Sequence, residues 1–271
     1  MKLIIMRISV CTISKNEERD IIGFLENIVD FADEIIIIDD DSNDKTKEIA
    51  LSYGKKIRFI KNKMTTKDFA SQRNISIANA NGDWLIHMDI DERISKMLKE
   101  DILKNMGNPN IKAFKYRRLN FFLNHKMKGG GFQSWNKIQI ARNGIHHFIN
   151  KIHENCIVDC NKDQILQLNG YMYHLTDDNY EERIDKSNTY VNMIVENLSN
   201  EGKKINKCDI LFKPILKFIT RFFIQKGFRD GIYGLIWALH CSIADFKVYT
   251  ILWLKQNKLN RKKLDSDLSK K

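Results

Sequence analysis

Glu34-Ile35-Ile36-Ile37-Ile38-Asp39-Asp40-Asp41 is an apolar run that closes on three carboxylates. Four consecutive branched aliphatic residues with no polar interruption fit a parallel strand covered on both faces. The sequence on either side repeats the theme. Upstream, residues 3–13 are β-rich, and residues 17–29 carry helical spacing through Ile21, Ile22, Leu25 and Ile28. Downstream, Ser42-Asn43-Asp44 offers an N-cap for a helix over 45–53 that Gly54 closes. A third strand is expected over 57–60, a helix over 67–81 and a fourth strand over 83–88, which runs into Asp89-Ile90-Asp91. Strand–helix alternation of this kind predicts an α/β fold with a parallel sheet and right-handed crossovers.

Ligands of such sheets bind beyond the carboxyl ends of the strands. Both acidic clusters, Asp39-Asp40-Asp41 and Asp89-Ile90-Asp91, fall there. The chain has neither a GxGxxG fingerprint nor a P-loop. Beyond residue 111 the pattern loosens, with strands expected over 113–119, 137–141 and 156–159 and a helix over 177–198. Gly129-Gly130-Gly131 reads as a loop.

Composition narrows the classes. Of the 271 residues, 43% are hydrophobic and 29% charged, which excludes a disordered chain. The start of the chain, broken by Arg7 and lacking a small-residue cleavage site, reads as a buried strand and not as a secretion signal. Five scattered cysteines argue against a disulfide framework, and Cys156 and Cys160 lack the companions a zinc site needs. The net charge of +11 is unevenly placed. Residues 201–271 hold 16 Lys and Arg against 6 Asp and Glu, and the first 200 residues are close to neutral. A nucleic-acid-binding body would spread that charge over its folded face, so no nucleic acid is expected. The division read from this asymmetry is a domain over 1–200 and a basic helical extension over 201–271.

In that extension Lys213, Lys217 and Arg221 recur every fourth residue, while Ile215, Phe218, Ile219 and Phe222 fill another face. Two readings stand: a helix packed on the protein with its basic face in solvent, or a helix in the interface of an anionic membrane. The apolar stretches 211–224 and 232–244 each fall short of the ~20 apolar residues of a spanning helix.

Two carboxylates one residue apart at a strand end suit a hard cation such as Mg²⁺ or Mn²⁺, which leaves positions open for phosphate oxygens. The bland alternative is that Asp89 ends the strand and Asp91 caps a following helix. The wider pattern bears on that choice. Ser9-Val10, Lys15-Asn16-Glu17-Glu18, Ala32-Asp33-Glu34, Asp39, Ser42-Asn43-Asp44-Lys45-Thr46, Asp68-Phe69-Ala70-Ser71-Gln72-Arg73-Asn74, Gly82-Asp83-Trp84 and Asp89-Ile90-Asp91-Glu92-Arg93 stand in an order that resembles family 2 glycosyltransferases. Within them the chain looks most like the lipopolysaccharide core glucosyltransferase branch. The likeness is dense over about 95 residues. It thins through Trp135, Arg142, His153-Glu154 and His174, and returns at Phe228-Arg229-Asp230-Gly231.

The resemblance implies a single Rossmann-like domain of the A-type glycosyltransferase fold (GT-A) that transfers a sugar with inversion. By it, Asp39 binds the nucleobase or ribose, Ser14 and Glu17 line the same pocket, and Arg73 approaches the donor phosphates. Asp91 is the metal ligand of the DXD motif, Asp89 lies beside it on ribose or metal, and His174 donates to the diphosphate or completes the metal shell. Glu154 stands where the family's catalytic acid residue is expected, against the alternative of a surface charge, with Asp159 the next candidate. Trp135 and Arg142 are assigned to the acceptor site. Asp40 and Asp41 depart from the branch and add negative charge beside Asp39. The default donor is UDP-glucose, with UDP-galactose, an N-acetylhexosamine or a heptose donor also open. The acceptor is a lipid-linked saccharide at the cytoplasmic, inner face of the bacterial inner membrane. Two other classes share parts of the pattern: a sugar-phosphate nucleotidyltransferase, disfavoured by the glycine-free stretch 11–16, and a non-catalytic membrane adaptor.

Overall fold

The computed structural model describes residues 6–66, 68–132, 135–150, 154–258 and 261–269. They form two compact units, Met1–Leu119 with Ser134–Leu175, and Asn120–Gln133 with Thr176–Lys271.

The first unit opens with β1 (Ile8–Ser14), α1 (Ile21–Ile28), β2 (Glu34–Asp39), α2 (Thr46–Ser52), β3 (Ile57–Lys61), α3 (Phe69–Ala78) and β4 (Trp84–His87). β1 pairs in parallel with β2 and β4, and β2 pairs in parallel with β3. Every residue of β2 is buried, which is why the run of isoleucines needs no alternation. Gly82, just before β4, is fixed by crowding: a Cβ there would lie 2.4 Å from Ser9 Oγ.

The chain continues through β5 (Glu92–Ile94), α4 (Lys96–Asn105), β6 (Ala113–Phe122), β7 (His125–Lys126), β8 (Trp135–Arg142), β9 (His146–Ile149), β10 (Asn155–Val158) and β11 (Ile165–Leu175). The main sheet runs β3-β2-β1-β4-β8-β6-β11-β5. Parallel pairing belongs to the half built by the first 90 residues; β4–β8, β6–β8 and β11–β5 are antiparallel. β9 and β10 form a separate antiparallel ribbon. The core lies between α1, α4 and the sheet, with Trp84 stacked on Phe114 at 4.5 Å. No helix is capped by Asp91; it precedes β5, and Ser95 caps α4 instead, its Oγ accepting from the Leu98 amide at 3.2 Å. The five cysteines are free.

The second unit holds α5 (Tyr180–Asn200), α6 (Lys207–Ile219), α7 (Gly231–Gln256) and α8 (Arg261–Leu268). A wide π turn over Thr220–Ile224 follows α6, and a 3-10 turn over Gly227–Asp230 leads into α7. Val191 and Val195 of α5 pack with Ile205 and with Val248 and Leu252 of α7. The motif Phe228-Arg229-Asp230-Gly231 has a structural task here. The buried Asp230 carboxylate accepts from the Lys128 and Gly129 amides at 2.8 Å each and meets His125 Nε2 at 3.2 Å. It thereby pins the glycine loop, whose Gly130 and Gly131 have left-handed φ of 68° and 86°.

Two expectations for this region change. The basic face of α6 is not left whole to solvent: Lys217 pairs with Asp245 of α7 at 3.5 Å, and Arg221 Nη1 donates to Gln225 Oε1 at 2.8 Å and to the Gly130 carbonyl at 3.2 Å. The cause is Pro214, on the same side of the helix, which is buried and accepts from Ser242 Oγ of α7 through its carbonyl at 2.8 Å. The second change concerns length. Isolated polar residues do not interrupt α7, so Gly227–Gln256 is long and apolar enough to cross a membrane by length and composition.

Candidate active site

The site grows from the carboxyl ends of β1, β2 and β4. Asp39, last in β2, sits opposite Ser14, last in β1. Its buried carboxylate accepts from Ser14 Oγ at 2.8 Å, Ser42 Oγ at 2.5 Å and the Ser42 amide at 2.8 Å. The loops after β1 and β2 are laced together: Asn16 N donates to Ser42 Oγ at 2.8 Å, Asn43 N to Asn16 Oδ1 at 2.9 Å, and Glu17 N to Thr46 Oγ1 at 2.7 Å. These bonds hold one wall of a pocket of about 390 Å³. Ser14, Lys15, Glu17, Asp40, Phe69 and Gln72 are among its lining residues.

The two extra carboxylates do not leave the pocket uncompensated. Asp40 accepts from Lys15 Nζ at 2.7 Å and from the Met64 amide at 2.6 Å, and Asp41 faces Lys61 and Lys63. Burial works to raise the Asp40 carboxyl, but those donors outweigh it and hold it below the usual range. Glu17 goes the other way. Burial, reinforced by the like charges of Asp91 and Asp20, pushes its carboxyl up to about 7. That coupling ties the pocket electrostatically to the second acidic cluster.

Asp89, Asp91 and His174 are brought together from distant parts of the sequence. Their ligating atoms all lie within 4.8 Å of one another, and His174 Nε2 is 3.3 Å from Asp91 Oδ2. The register of β11 against β5 does this: His174 lies opposite Glu92, and the Leu175 amide donates to the Asp91 carbonyl at 2.8 Å. Two carboxylates and an imidazole make a donor set that fits a divalent cation.

Arg73 projects from α3 and is buried between two acids. Its Nη2 donates to Asp89 Oδ1 at 2.5 Å and its Nε to Glu154 Oε1 at 3.0 Å, with Phe148 under the guanidinium at 5.4 Å. Burial opposes the charge, but the two carboxylates outweigh it and raise the guanidinium above its ordinary value. The same contact holds Asp89 well below the usual carboxylate range against its own burial. The sequence assigns Arg73 to the donor phosphates; in the structure these two donors are directed at Asp89 and Glu154.

Glu92 and Arg118 were not singled out from sequence. Glu92 is buried, accepts from the Asp89 amide at 3.1 Å and pairs with Arg118 at 3.4 Å. Burial and the neighbouring Asp89 push its carboxyl up. Its place in the motif after Asp91 was the available signal. Asp159 is exposed and faces His147 at 3.7 Å. Arg142 donates to the carbonyls of Ile111 at 3.0 Å and Asn108 at 3.1 Å and lies over Trp84, so it braces a loop. His153 and the side chain of Trp135 lie outside the described residues.

A parallel half-sheet with a pocket and an acidic–imidazole cluster at its carboxyl edge places the chain among open-sheet α/β proteins, whose ligands bind at that edge. The family model described as glycosyl transferase family 2 matches residues 9–157, and the chain belongs to that family. It is a glycosyltransferase of GT-A fold. The Rickettsia typhi glycosyltransferase RT0209 is 26% identical over 250 residues, covering 89% of this chain and 84% of the relative. The lipopolysaccharide core biosynthesis glycosyltransferase LpsC of Rhizobium meliloti is 23% identical over 268 residues, 97% of each chain. Among solved structures, residues 1–349 of S. aureus TarS in complex with UDP-GlcNAc align with a TM-score of 0.47 at 16% identity, covering 94% of this chain and 93% of that one.

Proposed function

We propose that the chain moves a hexose, with glucose from UDP-glucose as the leading donor, onto a lipid-linked surface saccharide with inversion at the anomeric carbon. The observation that carries this reading is the convergence of Asp89, Asp91 and His174 beside the Glu17-lined pocket. The similarity to LpsC over almost all of both chains supports a lipopolysaccharide core or related glycan as acceptor.

In this reading the pocket between the ends of β1 and β2 takes the nucleoside. Phe69 and Ile13 offer apolar surface to the base, and Asp39, already oriented by two hydroxyls, accepts from the ribose. Asp89, Asp91 and His174 would hold Mg²⁺ or Mn²⁺, which neutralises the diphosphate and makes it a better leaving group. Glu154 is the base. Its Oε1 is fixed by Arg73, while Oε2 takes no hydrogen bond among the described residues. Oε2 removes the proton of the acceptor hydroxyl as that oxygen bonds to the anomeric carbon and the bond to the diphosphate oxygen breaks. Arg73 therefore positions the base and Asp89 together, in place of the phosphate contact. The reaction is expected on the cytoplasmic side of the membrane.

The test is donor hydrolysis and binding by the full chain across a panel of nucleotide-sugars, with and without Mn²⁺ or Mg²⁺. Metal-dependent hydrolysis of one donor supports the reading and names the sugar. Binding of no nucleotide-sugar overturns it and favours the adaptor. Release of a nucleoside triphosphate from sugar nucleotide and pyrophosphate would favour the nucleotidyltransferase.

A further inference from the structure

α6 presents an apolar face outward. Leu211, Phe212, Ile215, Leu216, Ile219 and Phe223 fall within less than half the helix circumference at about 100° per residue. Their exposures range from 38% for Ile219 to 59% for Leu211. The opposite side, with Pro214 and Lys217, is turned to α7. A surface helix of a water-soluble body normally does the reverse, burying its apolar stripe. α7 adds a second outward stripe at Ile232, Leu239, Ile243 and Phe246. Isolated exposed apolar residues need no explanation, but continuous stripes along two packed helices mark a surface that something covers.

We infer that this face is a membrane-docking surface, lying in the plane of an anionic bilayer with the outward side chains of α6 sunk among the acyl chains. Charge selects this occupant. Lys207, Lys213, Lys226 and Arg229 are exposed on and around α6 and the turns after it, and the region 201–271 carries a net charge of +10. A second copy docked on the same face would set these cations against their own kind, whereas lipid phosphates would neutralise them. α5 decides against a spanning arrangement. It packs along α7 and carries Glu181, Asp185, Lys186 and Glu196 on its exposed or half-exposed surface. Carrying those charges into hydrocarbon is prohibitive, so α7 lies on the membrane although its length would cross it.

This inference stands apart from the transferase reading, because it needs neither donor nor metal. Its test is flotation of the full chain with liposomes of phosphatidylcholine alone or with 30 mol% phosphatidylglycerol (about a third of the lipid, to give a surface potential). The wild type should float with the anionic vesicles, and added salt should weaken but not abolish binding. The double variant Ile215→Glu/Phe223→Glu changes two exposed positions. It should partition about 100-fold more weakly while keeping the wild-type circular dichroism spectrum. Lys213→Gln/Lys226→Gln/Arg229→Gln should lose the preference for anionic lipid and keep residual binding. The inference is overturned if the wild type stays in solution with both vesicles, or if the glutamate variant floats as well as wild type. It is also overturned if wild type is a dimer in sedimentation that the glutamate substitutions dissolve, which would make the face a self-interface. Donor hydrolysis, measured in the same preparations without lipid, separates a failed docking surface from a failed transferase.

Discussion

Arg73 shows how much one side chain can hold. It is buried, yet it donates to two acids that come from β4's end and from the approach to β10. A guanidinium makes both bonds at fixed angles; an ammonium acts as a point charge and does not. Arg73→Ala should therefore cost about 3 kcal/mol by urea denaturation, because it leaves two partly buried carboxylates facing each other without their cation. Arg73→Lys should recover most of that stability but little of the turnover, a split that a purely structural arginine would not produce. Glu154→Gln is the partner experiment. It should leave donor affinity within about twofold and lower kcat by ~10² to 10⁴, the range of a general base. Unchanged turnover would remove Glu154 from that role. The buried histidines contribute one part of the acid dependence of stability. Burial, with Arg183 and Lys247 nearby, pushes His240 down to about 4, and burial beside His146 and Arg73 holds His87 well below its ordinary value. An unfolded chain binds those protons near pH 6.5. Between about pH 6.5 and 4 the unfolded histidines thus take up protons that the native ones refuse, and the histidine contribution to stability falls as pH falls. Above that window the contribution is flat. Glu17 and Glu92 act the other way over the same window, because their raised carboxyls take up protons in the native state first. The test is therefore a difference: on going from pH 7 to pH 5, the Tm of His240→Phe should change more favourably than that of the wild type, and an identical change would clear His240 of any part in it.

Elements make the site out of distant residues, and here the reading from sequence divides cleanly. β1 to β4 and their helices were legible because each carries its own signal: a run of buried aliphatics, a 3.6-residue stripe, a glycine stop. β5, α4, β9 and β11 were not. β5 is three residues long, too short for any period to declare itself. α4 reads Lys-Met-Leu-Lys-Glu-Asp-Ile-Leu-Lys-Asn and buries only Leu98 and Ile102, so its charge conceals it. β11 is interrupted by Gly170, which is there because α4 approaches so closely that a Cβ would lie 2.3 Å from the Leu98 backbone. Asp89, Asp91 and His174 were named through family likeness, whereas their meeting depends on the β5–β11 register that spacing alone did not reveal. Ser95 is the joint of that arrangement. Its Oγ caps α4 and also accepts from the Tyr171 amide of β11 at 3.1 Å. Ser95→Ala should cost about 1 to 2 kcal/mol in chemical denaturation, one cap together with one strand contact. A loss below about 0.3 kcal/mol would show that the strand is held elsewhere.

For the molecule as a whole, charge and compactness place the boundary differently. The basic excess begins after residue 200, but α5 ends at Asn200 and belongs with the helices that follow it. The reason is apolar. Val191 and Val195 have their cover from Ile205, Val248 and Leu252, so a chain ended near Lys203 would expose a core strip on α5 while keeping α5 itself. Burial of such side chains is worth about 1.5 to 3 kcal/mol each, which a short amphipathic helix cannot forfeit and stay folded. α8 is in the opposite position: it lies beyond the core cluster, with its side chains exposed wherever they are described. Two truncations therefore have opposite expected outcomes. A chain ending at Lys258 should melt within about 1 °C of the full chain, since the described side chains of α8 are exposed and lie outside the core cluster. A chain ending at Lys203 should aggregate or lose α5 helicity, seen as lower ellipticity at 222 nm and faster proteolysis between residues 176 and 203. Equal stability for both would mean that α5 stands without α7, and residue 200 would then be a folding boundary as well as a boundary of charge.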